Sequence, residues 1–92
     1  MLRSFDPGTT VLVTLPANVD LHARPAGLVV REASRFASAV VIAANGKRAS
    51  AKSILELLAL GATGGTELAV SADGVDAADA LAGLGALIPQ LA

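Results

Sequence analysis

The chain contains no cysteine, so neither a disulfide framework nor a thiolate metal site is available to it. It has a single histidine, which argues against zinc, an ion that takes three or four nitrogen or sulfur ligands. Tyrosine and tryptophan are absent and there are two phenylalanines, leaving no aromatic platform for bases to stack on. Seven basic residues against eight acidic ones give a net charge of −1 with no basic run, which disfavours nucleic-acid binding. No apolar stretch reaches the ~20 residues of a membrane span. The opening segment Met1-Leu2-Arg3-Ser4-Phe5-Asp6-Pro7-Gly8 lacks the apolar centre of a signal peptide. These absences lead us to expect a soluble, cytoplasmic protein with no metal and no membrane insertion.

What is present is one domain's length, 92 residues, of which 53% are hydrophobic. With so few aromatics, the core has to be built from Leu, Val, Ile and Ala. Residues 1–8 read as a polar tail, and 9–92 as the domain. Thr10 to Leu15 reads as a strand with Val11, Val13 and Leu15 on one face, ended by Pro16. A helix is predicted from Ala23 to Phe36. Pro25 is tolerated in its first turn, and Ala26, Val29, Val30, Ala33 and Ala37 form its buried stripe. Leu28 falls off that stripe and is expected to be exposed.

Ser38 to Ala44 follows as a strand, with Val40 and Ile42 inward. Asn45-Gly46 is a strong type I′ hairpin signal, and Lys47 to Ala51 is the return strand. Ser53 to Leu60 is a short helix, opened by a capping box between Ser53 and Glu56. It has too many large apolar residues for one face. With Leu57 and Leu60 inward, Ile54, Leu55 and Leu58 are left as an exposed patch suited to docking. Thr66 to Ala72 alternates as a one-sided strand. Asp76 is predicted to cap a last helix carrying Ala80, Leu81, Leu84, Leu87 and Ile88, weakened by Gly83 and Gly85. The order β-α-β-β-α-β-α, with one apolar stripe per helix, predicts an α+β fold: a four-stranded antiparallel sheet with three helices on one face.

The candidate site is Leu21-His22-Ala23-Arg24-Pro25-Ala26. It places the only imidazole at a strand-to-helix junction, beside helix-start amides that carry partial positive charge. A nucleophilic ring, an arginine and free amides suit a transient phosphate on His22. The plainer reading is an N-cap or surface histidine.

That hexapeptide resembles HPr, the histidine-containing phosphocarrier of the bacterial phosphoenolpyruvate-dependent sugar phosphotransferase system. So do Asn45-Gly46-Lys47-Arg48-Ala49-Ser50-Ala51-Lys52-Ser53, Leu60-Gly61 and Ser71-Ala72-Asp73-Gly74. The resemblance runs from about Thr10 to Ile88 and implies an open-faced β-sandwich. It implies that His22 accepts a phosphoryl group on Nδ1 from enzyme I and passes it to a sugar-specific enzyme IIA. Arg24 would assist, and the amides of Ala23 and Arg24 would face the phosphate. No cofactor is implied for the carrier, and magnesium belongs to the donor enzyme. Ser53 matches a regulatory serine, implying a serine kinase or transcription regulator as further partner, with Ser50 as a weaker candidate for modification. Leu28, Arg31, Ile54, Leu55 and Leu58 are the partner-docking candidates, and a monomer is the simplest state for a carrier serving several partners.

Two departures stand out. Asp20 occupies a position where many relatives have Gly. Asp tolerates left-handed φ, so the turn is expected to survive, and its carboxylate close to a phosphorylated histidine is expected to favour imidazolium, slow phosphoryl uptake or shift partner choice. Glu56 stands at a docking-helix position that is often basic. Two other readings remain: a regulatory binding module of the same fold controlled through Ser53, and a carrier for a nitrogen-related or dihydroxyacetone pathway. A stand-alone enzyme fits least, since His22 has no acid–base partner and no long loop encloses a substrate.

Overall fold

In the computed structural model, which describes residues 10–91, the period-two segments form one sheet. Its strands are β1 (Thr10–Thr14), β2 (Ala39–Ala44), β3 (Lys47–Ser50) and β4 (Glu67–Asp73). They lie in the order β1-β4-β2-β3, and each neighbouring pair is antiparallel. The helices are α1 (Ala23–Ala33), α2 (Ile54–Ala59) and α3 (Ala77–Leu87), followed by a 3₁₀ turn at Ile88–Gln90. This is the predicted α+β open-faced sandwich. The expected tail, residues 1–8, lies outside the described residues. Among the described residues, no helix is long and apolar enough to cross a membrane.

Register explains how a chain so poor in aromatics closes a core. Val13 pairs with Leu68, Val70 with Ile42, and Ile42 with Ala49, and all five are buried. The alternate row, Leu12, Ala69, Ala43 and Arg48, points to the open face, where Leu12 is exposed. Against the inner face pack Ala26, Val29 and Ala33 of α1, Leu57 of α2, Leu60 just beyond it, and Ala80, Leu81 and Leu84 of α3. Each fully buried Leu or Val contributes ~1.5–3 kcal/mol. Gly83 faces α1: a Cβ there would meet the Glu32 carboxylate, which would have to swing aside, and would press on the Phe36 ring.

The Asn45-Gly46 hairpin forms as predicted, with φ of 55° and 75° at its two central residues. The Asn45 side chain also donates to the carbonyls of Leu60 (3.0 Å) and Gly61 (3.3 Å), tying the hairpin to the end of α2.

Four local expectations are corrected by hydrogen bonds or packing that the spacing does not show. First, α1 stops at Ala33 instead of Phe36. Its end tightens through three-residue bonds from Arg35 to Glu32 and from Phe36 to Ala33, so Ala37 leaves the stripe and is exposed. Second, Asp76 sits at the start of α3 without capping it. Its carboxylate instead accepts the amides of Ala37 and Ser38 (both 2.9 Å) and the Ser38 hydroxyl, pinning the α1–β2 connection. Third, the capping box is half formed. Ser53 Oγ accepts the Glu56 amide (3.2 Å), but Glu56 Oε1 turns to the Ser50 amide (2.8 Å). Fourth, Leu28 is partly buried against the core, because the stripe of α1 is wider than the spacing implied.

The Asp76 clamp makes stability depend on pH. The Ser38 hydroxyl bond, then the Ala37 and Ser38 amides, hold its carboxyl below the usual carboxylate value of 3.8 against an opposing cost of desolvation. The folded chain thus resists protonation there more than the unfolded chain does. The contribution is complete above the ordinary carboxylate range and is lost as pH falls through the lower folded value. Between about pH 7 and pH 3 the urea midpoint of the wild type is expected to fall further than that of Asp76→Asn. Equal falls would show that the clamp carries no pH dependence.

Candidate functional site

Leu21 and His22 divide the work of the site by facing opposite ways. Leu21 is buried in the core, and its amide donates to the Ala62 carbonyl (3.0 Å). His22, next along in extended conformation (φ −85°, ψ −170°), is the N-cap residue of α1, and its imidazole points to solvent with 79% of the side chain exposed. The plain N-cap reading therefore holds for position only, since the ring makes no capping bond. His22 O accepts the Ala26 amide (2.9 Å), and Pro25 has no amide to offer. The donors left over at the start of α1 are the N–H groups of Ala23 and Arg24, beside the imidazole.

Arg24 is exposed and, among the described residues, in no ion pair, so its guanidinium is available at the same helix end. Asp20 is a further charge there. Its Oδ2 lies 3.8 Å from His22 Nε2, and its Oδ1 accepts the Gly64 amide (2.8 Å). The expected left-handed φ is not needed: among the described residues other than glycine, Asn45 alone has positive φ. The backbone turns at Leu21 instead through a bond from the His22 amide to the Asp20 carbonyl (2.8 Å).

The segment 62–66 supports this loop and was not foreseen. Ala62 O takes the Leu21 amide, Gly65 N–H donates to Leu15 O (3.1 Å), and Leu15 N–H to Thr66 O (3.0 Å). Gly64 lies so close to the Ala17 carbonyl that a Cβ could not fit between them. The only trace in the sequence is the Gly64-Gly65 pair, which marks a loop but not its partner.

The second group of candidates lies on α2, which packs against α1. Leu57 and Leu60 are fully buried, while Ile54, Leu55 and Leu58 are 41%, 79% and 37% exposed, as the spacing predicts. Ser53 is half-buried at the head of this helix, with its hydroxyl occupied as the N-cap acceptor. Ser50 Oγ accepts the Lys52 amide (3.2 Å). Arg31 is exposed in the last turn of α1, whereas Leu28 offers only part of its side chain.

Comparison with known proteins agrees with this geometry. The family described as the PTS HPr component phosphorylation site matches residues 9–90. Phosphocarrier protein HPr of Haemophilus influenzae is 47% identical over 79 residues, 86% of this chain and 93% of that protein. Its Vibrio cholerae counterpart is 43% identical over the same shares. The crystal structure of HPr-C-His from Thermoanaerobacter tengcongensis superposes with a TM-score of 0.83 at 35% identity, covering 89% of this chain and 92% of that one. With its whole sheet, its helices and the His22 junction inside the matched region, the chain belongs to the HPr phosphocarrier family of the phosphotransferase system.

Proposed function

We propose that this protein accepts a phosphoryl group on His22 from enzyme I and hands it to an enzyme IIA in sugar uptake and phosphorylation. The observation that carries the reading is the exposed imidazole at the start of α1, flanked by the two unused amides of Ala23 and Arg24. Neutral imidazole is a competent nucleophile through its ring-nitrogen lone pair. As Nδ1 bonds to phosphorus, the bond between phosphorus and the donor breaks, and negative charge spread over the phosphoryl oxygens meets the amides and the Arg24 guanidinium. Catalysis of this kind is mostly positioning and charge stabilisation. The carrier holds no cofactor in this reading.

Docking falls to Ile54, Leu55 and Leu58 with Arg31 and the exposed part of Leu28, on the two helices that pack together beside the site. Phosphate on Ser53 would put negative charge at the head of the docking helix and repel acidic partners, which is how a serine kinase would regulate the carrier. A monomer in the cytoplasm serves several partners in turn. The reading is tested by mixing the phosphorylated protein with an enzyme IIA: the phosphate is expected to leave this chain and appear on the partner. Retention on this chain in the presence of an active enzyme IIA would overturn the handover.

A further inference from the structure

We propose that Asp20 is a positioning residue for phosphoryl transfer: it holds the imidazole proton of His22 on Nε2 and so leaves the Nδ1 lone pair to the phosphoryl group. This rests on the phosphocarrier reading of His22. The carboxylate has two engagements that converge on the site. Oδ1 is pinned by the Gly64 amide at 2.8 Å, and Oδ2 stands 3.8 Å from Nε2. The anchor is itself fixed, because Gly64 is wedged against the Ala17 carbonyl and its neighbour Gly65 is bonded to Leu15 O. The Asp20 backbone adds a third constraint by accepting the His22 amide at 2.8 Å. One residue therefore sets both the exit angle of the histidine backbone and the charge facing the far side of its ring.

At 3.8 Å between groups that both face solvent, the attraction is modest and screened by water and salt. Its effect lies in selection between nearly equal states. Neutral imidazole carries one N–H, and a carboxylate on the Nε2 side shifts the balance toward the tautomer that carries it there. With that proton on Nε2, Nδ1 attacks, the N–P bond forms, and the bond from phosphorus to its donor breaks. No proton has to leave the ring. The ring takes up positive charge shared with Nε2–H, which the carboxylate stabilises from the side opposite the phosphoryl group. In onward transfer the P–Nδ1 bond breaks and neutral imidazole departs with its Nε2 proton in place.

The test uses the full chain and two variants. Asp20→Asn keeps an acceptor for Gly64 but loses the charge, and Asp20→Gly loses both. Ring ¹⁵N shifts of neutral His22 give the ratio of Nε2–H to Nδ1–H tautomers, and single-turnover uptake from phosphorylated enzyme I gives the rate. Both the ratio and the rate constant are expected to fall about two- to fivefold in each variant, the scale of an exposed charge pair, with half-saturating enzyme I unchanged. The Gly64 amide shift is expected to stay in Asp20→Asn and move in Asp20→Gly. An unchanged tautomer ratio in both variants overturns the proposal. Absence of any phosphate on the wild type overturns the phosphocarrier reading instead, a result the tautomer measurement does not produce.

Discussion

Replacing His22 by alanine is expected to abolish phosphoryl uptake and leave the fold unchanged. The chain has no second histidine to take over, so the loss is complete and not partial. The fold is spared because the imidazole is exposed and makes no capping bond, while the neighbouring Leu21 side chain and amide anchor the loop. A change of within about 0.5 kcal/mol in unfolding free energy is the expectation for an exposed side chain of this kind. Circular dichroism and a urea midpoint check it. A collapsed spectrum would make His22 a structural residue.

Neighbouring leucines on α2 are expected to behave oppositely. Leu57 is fully buried, and Leu57→Ala should cost ~2–5 kcal/mol, the range for a core leucine replaced by alanine. Leu55, 79% exposed, stands two residues earlier on the other side of the same helix. Leu55→Lys should alter stability by less than about 0.5 kcal/mol yet weaken binding to enzyme I by about tenfold or more, as the loss of an apolar anchor at a docking surface does. Urea denaturation and titration calorimetry separate the two effects. A stability loss above ~2 kcal/mol in Leu55→Lys would make it a core residue, and unchanged affinity would remove α2 from the docking surface.

How far the fold was legible follows from where each residue's partners lie. Val13, Val40, Ile42, Leu68 and Val70 announce themselves because burial on one face of a sheet imposes period two on the sequence. Leu57 and Leu60 follow from helical spacing, and the exposure of Ile54, Leu55 and Leu58 follows by exclusion. Element ends were less legible, because they are set by distant groups. Asp76 looks like a helix cap by local rules, but the amides of Ala37 and Ser38 compete for its carboxylate from across the fold. Glu56 likewise leaves its own helix start for Ser50.

The site divides in the same way. His22, Ala23 and Arg24 can be read locally, since a single histidine precedes Pro25 at a helix start. Their support cannot. Ala62 and Gly64 hold the loop through backbone atoms, which leave little mark on residue type, and Gly64 is 44 positions from the aspartate it binds. The nearness of Asp20 to the ring was expected from its place in the chain, but the anchoring that aims its carboxylate was not.

The central claim is that His22 carries phosphate. Its most direct test is to incubate the protein with phosphoenolpyruvate, magnesium and enzyme I and then measure its intact mass. One acid-labile phosphate, absent from His22→Ala, is the expected result. No phosphate on this chain, from an enzyme I that charges another carrier in the same assay, would contradict it.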